Sequence, residues 1–203
     1  AVDGGSSAIV VRGEGGHFCA GADLKEMEDQ SFDLRLRDML ELVSTVPVPT
    51  FAAISGACMG LGMQLALACD IRVATPDATF GIPAARLGLV VNHWTLQRLS
   101  LALGFGAARL MLLTADTFTE DDAWRLGFTQ VRGDLDAALE LAQRVRKLAP
   151  LSLAGLKLGL NLVERKLDEP EFHEAFTRAW TSQDLAEGQL AFTERRAPVF
   201  RGR

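Results

Sequence analysis

Cysteine is scarce in this 203-residue chain, and its three residues lie far apart. Cys19, Cys58 and Cys69 form an odd set without a CxxC pair. This pattern argues against a disulfide framework and a cysteine-based zinc site, and it indicates free thiols in a reducing compartment. The first residues also lack the cationic and apolar regions of a signal peptide, so we expect a cytoplasmic protein.

Basic charge and long apolar runs are lacking as well. The chain has 26 acidic against 21 basic residues, a formal net charge of −5, so nucleic-acid binding is disfavoured. The longest apolar run, residues 61–69, is interrupted by Gly62 and Gln64. It is shorter than the ~20 residues that a membrane span needs, and no transmembrane segment is expected. The three histidines have no ligand spacing, so no metal site is predicted either.

What the chain does contain is the composition of a folded domain, with 48% hydrophobic and 23% charged residues. Strand patterns alternate with helical patterns in the first half, which predicts an α/β fold with parallel strands. The second half reads as successive helices. The predicted strands are 7–12, 50–54, 70–74 and 128–132, and the predicted helices are 22–28, 32–43, 63–69, 96–103, 107–113, 120–126, 135–148, 152–166, 171–180 and 183–195.

Two glycine-rich segments each follow a strand and lead into a helix, HFCAGADLKEM at 17–27 and SGACMGLG at 55–62. In such turns, unpaired backbone N–H groups and the helix dipole together favour the binding of an oxyanion or a phosphate. The chain resembles the enoyl-CoA hydratase/isomerase (crotonase) superfamily. The resemblance runs through these two segments, the whole stretch 47–83 and EGQLAFTERR at 187–196, in the same order along the chain. The resemblance implies a ββα-spiral core over 1–133 and a helical trimerisation region over 134–203.

The same resemblance implies a ligand and its site. The ligand would be a fatty acyl-CoA thioester, bound without a cofactor by a homotrimer or a dimer of trimers. The N–H groups of Ala20 and Leu61 would form the oxyanion hole, where two converging donors stabilise a thioester enolate. The implied CoA-binding residues are Ala20, Ala22, Asp23, Leu24, Lys25, Phe176 and Arg195.

Two departures from the family bear on catalysis. Where hydratases carry two glutamates for acid–base chemistry, this chain has Gln64 and Ala84. Glutamine can hold a water molecule but cannot take its proton at neutral pH, and alanine can do neither. General acid–base catalysis contributes ~10²–10⁴-fold per group, so we expect little or no hydratase activity. Asp70 and Asp77, the only acidic residues between Leu42 and Ala115, are interpreted as structural.

A third departure is bulk in place of a glycine turn, at Asn92, His93 and Trp94. We expect these three to join Leu61, Gln64 and Ala84 around the acyl pocket. For His93, packing, a ligand contact and acid–base catalysis all stay open. Three hypotheses about function follow. The leading one is an acyl-CoA binder that serves fatty acid metabolism. The alternative is an active superfamily enzyme with non-standard catalytic groups, and the third is a structural subunit. Because crotonase chains usually begin with a further strand-turn-helix unit, we also expect that an N-terminal part precedes this sequence.

Overall fold

A computed structural model describes residues 5–23, 31–165, 174, 177, 178 and 181–203 of the chain. The contacts divide the chain into two compact units. The core unit consists of the described residues within Val10–Ser44 and Thr50–Leu139. The C-terminal unit consists of the described residues within Ala1–Ile9, Thr45–Pro49 and Glu140–Arg203.

A four-stranded sheet has the order β1-β2-β4-β7. Its strands are β1 (Ile9–Arg12), β2 (Thr50–Ile54), β4 (Ile71–Ala74) and β7 (Val131–Arg132). β4 pairs in parallel with both β2 and β7, which confirms the predicted α/β class. β2 is buried along its whole length, whereas β1 is only half-buried. The first strand, whose apolar run is typical of a buried strand, is only half-buried because it lies at the edge of the sheet.

A second sheet of three short strands was not predicted. It contains β3 (Ala57–Met59), β5 (Thr79–Gly81) and β6 (Phe118–Thr119), with β3 parallel and β6 antiparallel to β5. The sequence analysis assigned residues 55–62 to a glycine turn, and the structure corrects this by placing β3 inside that segment. Strands of two or three residues are too short to show the alternation by which a strand is recognised.

Helices cover much of the remaining described chain. They are α1 (Phe32–Thr45), α2 (Leu61–Ala68), α3 (His93–Leu103), α4 (Phe105–Thr114), α5 (Glu120–Arg125), α6 (Leu135–Val145), α7 (Pro150–Arg165) and α8 (Gln183–Glu194), with a short 3-10 helix at Ala84–Leu87. Thr119 caps α5: its hydroxyl accepts from the Asp122 N–H, and the Asp122 carboxylate accepts from the Thr119 N–H. Within the described residues, no helix is long and apolar enough to cross a membrane.

In the C-terminal unit, backbone and side-chain bonds hold the last residues against α8. The carboxylate of Asp184 accepts from the N–H groups of Arg201 and Gly202 at 2.7 and 2.8 Å. The Arg196 guanidinium donates to both carboxylate oxygens of Glu187, at 2.6 and 2.9 Å, and lowers the pKa of Glu187 to about 2. Lys157 on α7 donates to the Val48 carbonyl at 3.0 Å.

The core unit is built around buried aromatic and aliphatic side chains. Phe80 and Phe128 meet edge to face, with ring centroids 5.4 Å apart. Arg72 on β4 lies among them, only 9% exposed. Its guanidinium stacks over the Phe128 ring and donates to the carbonyls of Phe128, Ala66 and Cys69 at 2.6–3.1 Å. Burial lowers the pKa of Arg72 to about 10, so the buried charge persists at neutral pH.

Replacing Arg72 should destabilise the core unit. In Arg72→Met the methionine fills much of the volume but removes the guanidinium donor from the carbonyls of Ala66 and Cys69, each at a cost of ~1–3 kcal/mol, while the Phe128 carbonyl still accepts from the Gln130 side chain. We expect a loss of about 3–5 kcal/mol in the free energy of unfolding, measured by urea denaturation. The matched control is Arg125→Met, whose arginine side chain is 71% exposed and should contribute less than ~1 kcal/mol. Equal stability of the two variants would contradict the expected role of Arg72.

Candidate functional site

The two glycine-rich loops lie side by side in the core unit. Cys19 and Cys58 form an isolated parallel bridge, in which the Cys19 N–H donates to Ala57 O and the Met59 N–H donates to Cys19 O at 3.0 and 2.9 Å. These bonds fix the chain just before Ala20 against the strand that leads into α2. The sequence analysis proposed that Ala20 and Leu61 act together, and the structure brings their loops into contact.

Gly62 allows this approach. A Cβ atom built on Gly62 would lie 2.3 Å from the Cys19 carbonyl oxygen and 2.9 Å from the Cys19 Cβ. No side chain fits at such distances, so the α2 N-terminus can come this close to the first loop only with glycine at 62. Gly60, which precedes the helix, has a φ of +54°, a left-handed conformation that glycine adopts at little cost.

This geometry leaves two backbone donors at one place. Leu61 is the first residue of α2, so its N–H has no acceptor inside the helix. The Ala20 N–H has no recorded hydrogen-bond acceptor among the described residues. Both residues line a cavity of about 570 Å³. The arrangement can stabilise negative charge on one ligand oxygen, as an oxyanion hole does.

The cavity wall is mostly apolar. Its described lining residues are Ala20, Gly21, Ala22, Phe32, Asp33, Leu36, Met59, Gly60, Leu61, Gln64, Ile82, Pro83, Ala84, Leu87, Leu89, Val90, Val91 and Asn92. Of these, only Asp33, Gln64 and Asn92 carry polar side chains. A volume of this size with apolar walls and few polar groups suits a small ligand with a hydrocarbon part.

Gln64 and Ala84 both line this cavity, from α2 and from the start of the 3-10 helix. Gln64 is 8% exposed, and its side chain meets the hydroxyl of Thr95 at 3.2 Å. The Ala84 methyl group has no proton to exchange. The two positions for which the resemblance implies glutamates in hydratases therefore line one cavity, and neither carries a carboxylate.

Asp33 is the one carboxylate in the described lining, and the sequence analysis missed it. It belongs to the first turn of α1, outside the stretch between Leu42 and Ala115 in which acidic residues were considered. Its neighbours Phe32 and Leu36 line the same cavity, one and three positions away along the helix. The sequence shows this apolar spacing, but it does not show that this face of the helix covers the cavity.

Asp70 and Asp77 have structural contacts, as predicted. The Asp70 carboxylate accepts from the N–H and the hydroxyl of Thr50 at 2.7 and 2.9 Å, and so ties the start of β4 to the start of β2. Exposed Asp77 accepts from the Thr75 hydroxyl at 2.5 Å, which lowers the pKa of Asp77. Neither residue lines the cavity.

The expectation that Asn92, His93 and Trp94 all shape the pocket needs correction. Only Asn92 belongs to the cavity lining. Its side-chain oxygen accepts from the Thr95 N–H and starts α3 at His93, three residues earlier than predicted. His93 is exposed in the first helical turn. Trp94 packs against the hydrophobic core and lies under the Arg98 guanidinium, 4.9 Å from the ring centroid.

The structure describes only some of the residues that the resemblance implies for CoA binding. Ala20 and Ala22 line the cavity, while Asp23 is exposed beyond its lining. Arg195 is exposed in the C-terminal unit, directly after α8, with a φ of +54°. Leu24, Lys25 and Phe176 lie outside the described residues. The assignment of these residues to CoA stays a prediction.

Comparison with known proteins bears on the family. The family model for enoyl-CoA hydratase/isomerase matches residues 3–203. The chain belongs to this family. A probable enoyl-CoA hydratase, echA6, of Mycobacterium leprae is 42% identical over 197 residues, which cover 96% of this chain and 79% of that protein. The echA6 protein of Mycobacterium tuberculosis is 40% identical over 98% of this chain and 83% of its own length.

Solved structures agree with the family fold. An enoyl-CoA hydratase/isomerase family protein of Hyphomonas neptunium superimposes with a TM-score of 0.89 at 31% identity, over 97% of this chain and 81% of that chain. An enoyl-CoA hydratase of Mycobacterium tuberculosis gives a TM-score of 0.84 at 31% identity over the same shares. The expectation of a crotonase-like α/β fold is thereby confirmed. No cluster of three or more metal-ligating side chains occurs in the described part of this hydratase-family chain.

Proposed function

We propose that the protein binds fatty acyl-CoA thioesters and has little or no hydratase activity. One observation carries the proposal: Gln64 and Ala84 face the same cavity as the free N–H groups of Ala20 and Leu61. The donors suited to a thioester oxygen are present at a site that lacks both hydratase carboxylates. Binding can therefore persist where acid–base catalysis is lost.

The chemistry follows from what each group can do. A thioester carbonyl oxygen that accepts from the N–H groups of Ala20 and Leu61 would direct the adjoining carbons toward Gln64 and Ala84. Hydration requires a group that takes a proton from water and a group that delivers one to the α-carbon. Neither an amide nor a methyl group does this at neutral pH. The apolar walls from Ile82, Leu87 and Val91 favour a hydrocarbon chain.

Titration calorimetry with CoA and a series of saturated acyl-CoAs tests the binding part of the proposal. We expect affinity to rise with chain length, by up to ~4-fold for each methylene group buried, until the cavity is full. Dodecanoyl-CoA should bind at least ~100-fold more tightly than free CoA. Equal affinities would show that the cavity does not take the acyl chain.

A hydratase assay on crotonyl-CoA tests the catalytic part. Turnover of ~1 s⁻¹ or faster, an ordinary enzymatic rate, would overturn the proposal of a silent binder. In that case Asp33 is the group to replace first, because it is the one carboxylate in the described cavity lining. Loss of the activity in Asp33→Asn would assign catalysis to α1.

The assembly and the location are further parts of the proposal. The resemblance supports a homotrimer or a dimer of trimers. The protein would serve fatty acid metabolism in the cytoplasm, and it would bind its thioester ligand without a cofactor. Exposed apolar side chains along α7, at Leu156, Leu160 and Val163, supply a surface that subunits could bury. Sedimentation equilibrium would measure the oligomer size.

A further inference from the structure

Two of the three cysteines, far apart in the sequence, lie directly opposite each other in the fold. Cys19 and Cys58 are the partners of the parallel bridge between the first glycine-rich loop and β3. The bonds from Cys19 N–H to Ala57 O and from Met59 N–H to Cys19 O, 3.0 and 2.9 Å long, set Cys58 opposite Cys19. Paired strands lie ~4.8 Å apart, and a disulfide spans Cα separations of ~4.4–6.8 Å. A disulfide can therefore bridge the backbone at this pair.

The two side chains also leave the backbone on the same side. Residues directly opposite each other in a β pairing share a face, because side chains alternate along each strand. Cys58 belongs to the hydrophobic core cluster, and Cys19 packs against that same cluster. The Cys19 thiol donates to the Gly21 carbonyl at 3.7 Å, a weak hydrogen bond. One rotation about the Cα–Cβ bond breaks it, so Cys19 can take the staggered rotamer that faces Cys58.

The two thiols differ in their access to solvent and in their reactivity. Cys58 is 0% exposed, whereas Cys19 is partly exposed. Burial raises the pKa of the Cys58 thiol well above its usual value, and the neighbouring Cys19 raises it further. Since the thiolate is the form that attacks an oxidant, Cys58 is protected and Cys19 reacts first. An accessible thiol beside a second, resolving thiol is the arrangement typical of redox-sensitive cysteines.

We propose that Cys19 and Cys58 are a site of oxidative modification, at which a hydroperoxide converts the two thiols to a reversible intramolecular disulfide. The Cys19 thiol gives up its proton, its sulfur bonds to one peroxide oxygen, and the O–O bond breaks. Cys19 becomes a sulfenic acid, and the other oxygen leaves with the proton as water when the peroxide is hydrogen peroxide. The Cys58 sulfur then bonds to the Cys19 sulfur, the S–O bond breaks, and the hydroxyl leaves with the Cys58 proton as a second water. The two sulfurs lose two electrons, and the peroxide gains them.

The disulfide would protect the chain next to the Ala20 and Leu61 donors. Cys19 directly precedes Ala20, and Cys58 lies on the strand that leads into α2. Without a resolving thiol, further peroxide takes a sulfenic acid to a sulfinic acid, which thiol reductants do not reverse. Cys58 therefore keeps the oxidation of Cys19 reversible.

Peroxide treatment of the reduced protein tests this site and needs no acyl-CoA, so its outcome does not depend on the proposed function. Alkylation in denaturant and mass spectrometry then count the thiols. Of the three free thiols, we expect two to be lost, with a chain lighter by two hydrogen atoms and a cross-linked peptide that joins Cys19 to Cys58. Dithiothreitol should restore all three. Retention of three thiols, a disulfide that includes Cys69, a disulfide between chains, or sulfinic acid without a disulfide would overturn the proposal.

Variants assign the roles of the two cysteines. In Cys58→Ala, excess peroxide should take Cys19 to a sulfinic acid that dithiothreitol does not reverse, whereas the wild type recovers every thiol. Cys69→Ala is the matched control, because it removes another buried thiol and should still form and release the disulfide. Circular dichroism of each reduced variant shows whether it folds. Cys19→Ala changes only the partly exposed position, so it remains a test if Cys58→Ala does not fold, and it should form no intramolecular disulfide. A disulfide within the Cys19→Ala chain, or full recovery of Cys19 in Cys58→Ala, would contradict the assignment.

Discussion

The double substitution Gln64→Glu with Ala84→Glu should raise the rate of crotonyl-CoA hydration by ~10²-fold or more over the wild type, since each acid–base group contributes ~10²–10⁴-fold. Both positions line the same cavity as Ala20 and Leu61. Two carboxylates placed there would face a thioester held by these N–H groups. The assay follows the loss of the enoyl thioester absorbance.

Neither single substitution should reach the rate of the double variant. One carboxylate can take a proton from water, but without its partner the water is poorly held and the α-carbon has no proton donor. The two effects are therefore cooperative and do not add. The rescue should remain partial, because burial in an apolar cavity and mutual repulsion raise the pKa of both new carboxylates.

A matched variant shows whether the placement of the two new carboxylates matters or whether any glutamate in this cavity raises the rate. Asp33→Glu keeps the carboxylate already present in the described cavity lining and adds none. We expect its rate to equal that of the wild type. If the double variant hydrates crotonyl-CoA no faster than Asp33→Glu, the missing glutamates are not the main cause of inactivity. Binding of dodecanoyl-CoA to each variant is measured first, so that a loss of folding is recognised.

The sequence predicted the main sheet well, because its central strands are long and apolar. Thr50–Ile54 and Ile71–Ala74 lie within one residue of the predicted ranges. β3, β5 and β6 were missed because two or three residues cannot display a period of two. The start of α3 was placed three residues late because Asn92 stands in a segment that was interpreted as bulk in place of a glycine turn, so its cap signal was not used.

The candidate site was predictable only where residues adjoin in sequence. Ala20, Leu61 and Gln64 lie in the segments that carry the resemblance and Ala84 directly follows one of them, and the structure places all four on one cavity. Asp33 and Thr95 belong to helices whose approach to that cavity is set by packing, which a single sequence does not encode locally. Trp94 was assigned to the pocket because of its bulk, whereas its ring packs against the core under Arg98.

Gly62→Ala should weaken acyl-CoA binding, although Gly62 itself need not touch the ligand. The added Cβ would lie 2.3 Å from the Cys19 carbonyl oxygen, which belongs to backbone that pairs with β3 and already accepts from the Met59 N–H. The start of α2 and the Ala20 loop would have to separate by about an ångström or more. We expect at least a ~10-fold loss of affinity for dodecanoyl-CoA, since misplacement of this order disrupts converging hydrogen bonds.

Gly106→Ala is the matched control for this prediction. Gly106 lies in the first turn of α4, and a Cβ built on it meets nothing within 4 Å. Alanine there should stabilise the helix by ~0.5–1 kcal/mol and leave dodecanoyl-CoA binding unchanged. If Gly62→Ala retained both the melting temperature and the affinity of the wild type, the contact between the two loops would not be what brings the Ala20 and Leu61 donors together. A loss of affinity for dodecanoyl-CoA that exceeds the loss for free CoA would place the damage at the thioester end of the ligand, where these two N–H groups converge.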